Sequence, residues 1–114
     1  MHIFVIVVSY NFERNDWINQ CLSSLQKSEI PLNIIVVDNN STDNSVSIIK
    51  SKYPEVILFE QKENLGFAKA NNIAIRYAYD NGADFVFLLN QDAWIEKDTV
   101  AKLVEVAEKN LTME

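Results

Sequence analysis

Four short polar segments hold the side chains of this chain that could do chemistry. They are Ser9-Tyr10-Asn11, Asp38-Asn39-Asn40-Ser41-Thr42-Asp43, Gln61 through Gly66, and Asn90-Gln91-Asp92. Asp38 ends a fully apolar run, so its carboxylate is expected to face a cleft and accept from an N–H donor such as a pyrimidine imide. The local alternative is a turn feeding a helix, where Asn would be tolerated. Asp92 could hold Mg2+ or Mn2+ through one or two oxygens, with substrate phosphates and waters completing the octahedron, or it could simply form a loop turn. Gly66 precedes a helical segment. It permits close backbone approach or positive φ where free N–H groups suit an anion, or it is a plain connector. Asp38, Asn40 and Thr42 alternate as in a calcium loop, but Asp43 replaces the required Gly and Ile49 the final Glu. An EF-hand is excluded.

The elements that must position these segments are legible as two alternating patterns. Ile3 to Val8, Ile34 to Val37, Val56 to Phe59 and Phe85 to Leu89 are continuously apolar runs, the signature of strands covered on both faces. Between them lie helical spacings. Trp17, Cys21, Leu22 and Leu25 follow Asn15 or Asp16 as a cap, and Asp43 to Lys52 ends ahead of Pro54. Phe67 to Tyr79 carries Ala70, Ala74 and Ala78 on one stripe, closed by Asn81-Gly82. Asp98 is expected to cap a last helix with Val100, Leu103, Val104 and Ala107 on one face. The order β-α-β-α-β-α-β-α predicts an α/β fold: a Rossmann-like, mostly parallel sheet with helices on both faces, a three-layer α/β/α arrangement. In such sheets ligands bind beyond the carboxyl ends of the strands, where the strand order reverses. All four polar segments fall on that edge.

Composition removes several classes. The 114 residues contain one Cys, Cys21, and one His, His2, so disulfide scaffolds, Cys-rich zinc sites and HExxH metal sites are out. Ser–His–Asp and Cys–His catalysis find no His near a strand tip. Two glycines are too few for GxGxxG or a Walker A loop. A formal net charge of −6 argues against nucleic acid as an electrostatic partner, though not against one nucleotide bridged to carboxylates by a cation. The first apolar run is far shorter than the roughly 18–20 residues of a membrane span, and no basic segment of a signal peptide precedes it. A cytoplasmic location is expected, with the inner face of a membrane as an option for the full protein.

In order and spacing, four blocks resemble the family 2 glycosyltransferases of the GT-A fold: Val7-Val8-Ser9-Tyr10-Asn11, Val36 through Ser45, Asn64 through Asn72, and Leu88 through Asp92. The resemblance runs from residue 3 to about 105. It implies that Ser9, Tyr10 and Asn11 touch the base and ribose of a nucleotide-sugar donor and that Asp38 accepts from the base imide. Asn40 sits in the same nucleotide loop, and Asn64 and Gly66 close the nucleotide side of the cleft. Asn90-Gln91-Asp92 stands where the family has its DxD motif, whose last Asp binds a divalent cation, Mn2+ or Mg2+, on the diphosphate. Asn90 replaces the first Asp, so Asp92 must carry the metal and Asn90 is expected to contact sugar or water. The Asn-x-Asp variant is similar to the rhamnosyltransferase-like branch and hints at a UDP- or dTDP-linked sugar.

The resemblance further implies inverting transfer to an acceptor hydroxyl on a glycan or lipid-linked acceptor, as in polysaccharide biosynthesis, with a carboxylate general base. In the family that base lies past the fourth strand, and no catalytic residue is assigned among residues 1–114. The expectation is a single nucleotide-sugar-binding domain forming the N-terminal portion of a longer enzyme. A non-catalytic nucleotide-sugar or protein-binding module is the alternative. A receiver-type signalling domain fits less well, since Ser9-Tyr10-Asn11 supplies no acidic pair.

Overall fold

The computed structural model describes residues 1–111. Strand β1 (Ile3–Ser9) leads through a 3-10 turn (Arg14–Asp16) into helix α1 (Trp17–Gln26). Strand β2 (Asn33–Asp38), helix α2 (Ser45–Lys52), strand β3 (Ile57–Glu60), helix α3 (Phe67–Asp80), strand β4 (Phe85–Leu88) and helix α4 (Thr99–Leu111) follow. The four strands form one parallel sheet in the order β3-β2-β1-β4. The chain moves outward from β1 to β3, then returns to the far side of β1. Right-handed crossovers put helices on one face while the chain moves one way and on the other once it reverses.

That is the observed layering. Ile18, Cys21, Leu22 and Leu25 of α1 and Ile49 of α2 pack with Val5, Val7, Ile34 and Val36. Helix α3 covers the opposite face, where Phe4, Ile6, Ile35 and Val37 meet Ala70, Ala74 and Ala78. Val100 and Val104 of α4 pack on Ile3, beside Phe85 and Phe87. The three alanines are fully buried, and their small side chains let α3 lie close to the β-branched sheet. Tyr77 fills the flank, edge-on to Phe59 at 5.3 Å and to Phe4 at 6.5 Å.

The boundaries differ from the sequence expectation in small, explicable ways. Val56 is buried just ahead of β3 instead of opening it. Leu89 lies past β4, although its N–H still donates to Ile6 O at 2.9 Å. Helix α2 begins at Ser45, not Asp43, because the Asp43 carboxylate accepts the Ser45 N–H at 2.9 Å and holds residues 43–44 as a turn. Neither Asn15 nor Asp16 caps α1 with its side chain. Both residues have left-handed φ, and the Asp16 carboxylate instead accepts from Asn19 Nδ2 at 2.7 Å. The Asp98 carboxylate pairs with Lys102 one turn into α4 at 2.9 Å, while Thr99 Oγ1 accepts the Glu96 N–H.

The closeness of α3 to the sheet gives a direct test. Ala74→Leu should overfill the interface and destabilise the fold by about 1–3 kcal/mol, read from chemical unfolding. The same change at exposed Arg76 should leave stability within about 0.5 kcal/mol.

Candidate functional site

At the carboxyl edge of the sheet the strands stop pairing, and side chains take over the backbone hydrogen bonds. Asp38 is the centre of this exchange. It is 2% exposed. Its Oδ1 accepts from Ser9 Oγ at 3.0 Å and from Ser41 Oγ, and its Oδ2 accepts from the Ser41 N–H at 2.9 Å. The sequence expectation gave this carboxylate an N–H donor across a cleft; in the structure the chain's own donors already hold it. Ser9 is likewise fully buried beneath the edge.

Asn11 continues the network. Its N–H donates to Ser41 Oγ at 2.9 Å, and its Oδ1 accepts from the Thr42 N–H at 2.9 Å and Thr42 Oγ1 at 3.2 Å. Ser45 Oγ then accepts the N–H of Phe12 at 2.7 Å and of Glu13 at 3.2 Å. Phe12 is wholly buried although it lies outside any helix or strand, and it anchors the loop to the α1 face of the core. Asn40 is exposed in the left-handed region (φ 65°) and forms the outer corner of the β2 loop.

A cleft of about 470 Å3 opens between the β1 and β4 tips and the start of α3, at the place where the strand order reverses. Tyr10 and Trp17 form one wall, Asn39, Asn64, Gly66 and Phe67 another, and Asn90, Gln91 and Asp92 the third. Of the residues singled out in the sequence, the structure brings Tyr10, Asn64, Gly66, Asn90 and Asp92 together here. Ser9, Asn11, Asp38 and Asn40 do not line this cleft; the first three lie in the network that shapes it. Arg14 lies 5.7 Å over the ring of Trp17, at the rim.

Gly66 has φ 81° and ψ 172°, a conformation open in practice only to glycine, and a Cβ there would meet nothing within 4 Å. Conformation, not crowding, demands the glycine. Asn64 Oδ1 accepts the Gly66 N–H at 2.8 Å and so sets the turn into α3.

As site residues, the sequence reading singled out neither the aromatic wall residues Trp17 and Phe67 nor the carboxamides Asn39 and Gln91. Asn39 ties β2 to the α3 approach: Nδ2 donates to Gly66 O at 3.2 Å and Oδ1 accepts the Leu65 N–H at 3.3 Å. Gln91 ties β4 to β1 through Tyr10, accepting its N–H at 2.9 Å and donating to its carbonyl at 3.2 Å. The available signal was position. Asn39 is a carboxamide one residue past the end of β2 and Gln91 one three residues past the end of β4, where backbone groups lose their ladder partners.

Asp92 is exposed, two residues past Asn90 in a turn closed by Ala93 N–H to Asn90 O at 3.0 Å. One carboxylate and one amide suit a hard, oxygen-seeking cation that draws its other ligands from substrate and water. Among the described residues no cluster of three His, Cys, Asp or Glu could cage a metal alone. Beneath this turn, burial, and secondarily the Asp92 charge, push the Cys21 thiol up to about 12.

A parallel α/β sheet with a polar cleft at its switch point defines a class of nucleotide-binding folds, and comparison with known proteins narrows it. The family model for glycosyl transferase family 2 matches residues 4–113, so the chain belongs to that family. It is 30% identical over 102 residues to the dTDP-rhamnosyl transferase RfbF of Shigella flexneri, covering 90% of this chain and 33% of that protein. The structure of S. aureus TarS 1-349 in complex with UDP-GlcNAc superposes with a TM-score of 0.82 at 28% identity, over 96% of this chain and 32% of TarS 1-349. The mannosyltransferase PcManGT of Pyrobaculum calidifontis, in complex with GDP-Man and Mn2+, gives a TM-score of 0.78 at 30% identity, over 91% and 31%. The fold is GT-A. The chain spans about a third of the length of these relatives.

Two outcomes follow from the geometry. Asp38→Asn keeps one acceptor oxygen but sets an amide donor against the Ser9 and Ser41 donors. It should cost about 1.5–3 kcal/mol, seen as a lower urea midpoint at unchanged slope. A midpoint equal to the parent's would make Asp38 an ordinary turn residue. For Cys21, an unfolded thiol ionises near ~8.5 and the folded one only near about 12. Its contribution to stability is therefore complete below the unfolded value and is lost as pH rises toward the folded one. Iodoacetamide at pH 8 should label Cys21 in urea and leave the native chain unlabelled over the same period.

Proposed function

We propose that the cleft binds the nucleoside diphosphate of a sugar donor, UDP- or dTDP-linked, with a divalent cation, Mn2+ or Mg2+, held by Asp92. The observation that carries this reading is the exposed Asp92 carboxylate on a cleft whose other walls are amides, a glycine turn and aromatic rings. Tyr10 lies where a base or ribose would stack. Gly66, with the unpartnered N–H groups that open any helix, favours an anionic group near the α3 start. Asn64 shapes that turn, and Asn90 would meet sugar or water. Ser9 and Asn11 act by holding the β1 tip, and Asn40 by forming the outer edge of the nucleotide loop. Asp38 acts from beneath the edge, through Ser9 and Ser41, by holding the loop that the nucleotide would meet. The Mn2+ complex of PcManGT supports cation use, and the UDP-GlcNAc complex of TarS supports a nucleotide-sugar ligand.

Glycosyl transfer expels a nucleoside diphosphate, and a cation on its oxygens neutralises the charge that develops. This chain's part is to bind and orient the donor for inverting transfer to a glycan or lipid-linked acceptor hydroxyl. We assign no general base. Asp92 is the one carboxylate among the described residues lining the cleft, and a carboxylate committed to a cation is a poor proton acceptor. Among the described residues no helix is long and apolar enough to cross a membrane. A cytoplasmic setting, at the inner membrane face where the acceptor is lipid-linked, completes the proposal.

Calorimetric titration of UDP and dTDP, with Mn2+ and with chelator, tests the reading. The parent should bind the diphosphate and the metal together more tightly than either alone, by reciprocal linkage. Asp92→Ala should bind equally with and without Mn2+. An undiminished metal enhancement in Asp92→Ala would remove Asp92 from the cation site.

A further inference from the structure

Strands β1 and β4 pair from Ile3 with Phe85 to Ile6 with Leu88. Beyond the last rung, Leu89 N–H to Ile6 O, the two chains diverge and the cleft opens between them. The backbone of Tyr10, past the end of β1, needs partners for both its N–H and its carbonyl. Gln91 supplies both, at 2.9 and 3.2 Å. A carboxamide offers the same donor and acceptor as a peptide group, so this side chain adds one rung to a ladder the backbone has left. Gln91 also stands between Asn90 and Asp92, which face the same cleft. The bridge therefore joins the Asp92 turn to the residue that carries the aromatic wall.

We propose that Gln91 is a positioning residue that fixes the spacing between the Tyr10 ring and the Asp92 carboxylate. The nucleoside end and the diphosphate–cation end of one ligand are thereby held in register. The proposal rests on the nucleotide-diphosphate reading above. Its physical basis is preorganisation: a wall already in its bound geometry does not have to be ordered when the ligand arrives. A ligand spanning both ends depends on the bridge. One that touches only the cation end does not.

The test uses the 114-residue chain, Mn2+, and two probes, UDP and inorganic pyrophosphate. Gln91→Met keeps the length of the side chain and removes both hydrogen bonds. It should weaken UDP–Mn2+ binding about tenfold, leave pyrophosphate–Mn2+ binding within about twofold, and speed hydrogen exchange at the Tyr10 amide. Equal loss for both probes would make Gln91 a general support of the loop and overturn the proposal, as would unchanged UDP affinity or unchanged Tyr10 exchange. A parent chain that binds no nucleotide with Mn2+ would overturn the donor reading itself, and this proposal with it. The parent's own titration separates that failure from failure of the Gln91 assignment.

Discussion

The β1 and β2 loops at the carboxyl edge of the sheet depend on one buried carboxylate. Asp38 sits at 2% exposure with donors from Ser9 and Ser41 on both oxygens. A buried charge is tolerable only when hydrogen bonds replace its lost water, and removing them leaves a group that costs far more than any single bond contributes. That penalty gives the loops their order. Ser41 Oγ, which donates to Asp38, also accepts the Asn11 N–H, and Asn11 in turn receives Thr42. The β1 and β2 loops are therefore one hydrogen-bonded body, and the cleft has a fixed floor.

The walls use neutral groups for the same purpose. Asn39 bridges to Leu65 and Gly66, and Gln91 bridges to Tyr10, each with a donor and an acceptor from one carboxamide. Parallel strands that splay apart at a switch point leave peptide groups without partners, and water would otherwise fill that role. Amides satisfy them without adding charge. The edge is thus rigid where its residues bond one another and open where Asn64, Gly66, Asn90 and Asp92 line the cleft.

Much of this was legible in the sequence, for a reason that can be stated. Strands buried on both faces must be continuously apolar, so the runs beginning at Ile3 and Ile34 show themselves, while the equally apolar run beginning at Phe85 forms a half-buried edge strand with Leu88 exposed; alanines at spacing four mark a close helix face. The alternation of strand and helix then forces the parallel sheet and brings the polar tips to one edge. Local sequence does not say which of two neighbouring polar residues turns inward. Ser9 is the last residue of β1 and is buried beneath the edge, whereas Tyr10, one residue past the strand end, is exposed. The same ambiguity put Asn40 in the expected site and left Asn39 out. Capping went astray around Asp16 because a 3-10 turn with left-handed residues enters α1, and side-chain capping needs extended backbone at that point.

Charge decides what such a cleft can accept. The chain carries a formal −6, and a diphosphate approaching Asp92 would meet repulsion of about 4 kcal/mol per pair of unit charges at 4 Å and an effective dielectric of 20. Amides and aromatic rings on the other walls add nothing to that repulsion and can relieve little of it. The N–H groups at the α3 start contribute at most a fraction of a charge. A divalent cation between carboxylate and phosphate reverses the sign of the interaction on both sides. On the proposed reading, Asp92 without a cation would oppose an anionic ligand, and with one the same carboxylate would favour a ligand carrying a diphosphate over an uncharged sugar or nucleoside. The replacement of a first Asp by Asn90 fits this balance. A second carboxylate would hold a cation more tightly but leave more negative charge facing the ligand, whereas a neutral amide would add none.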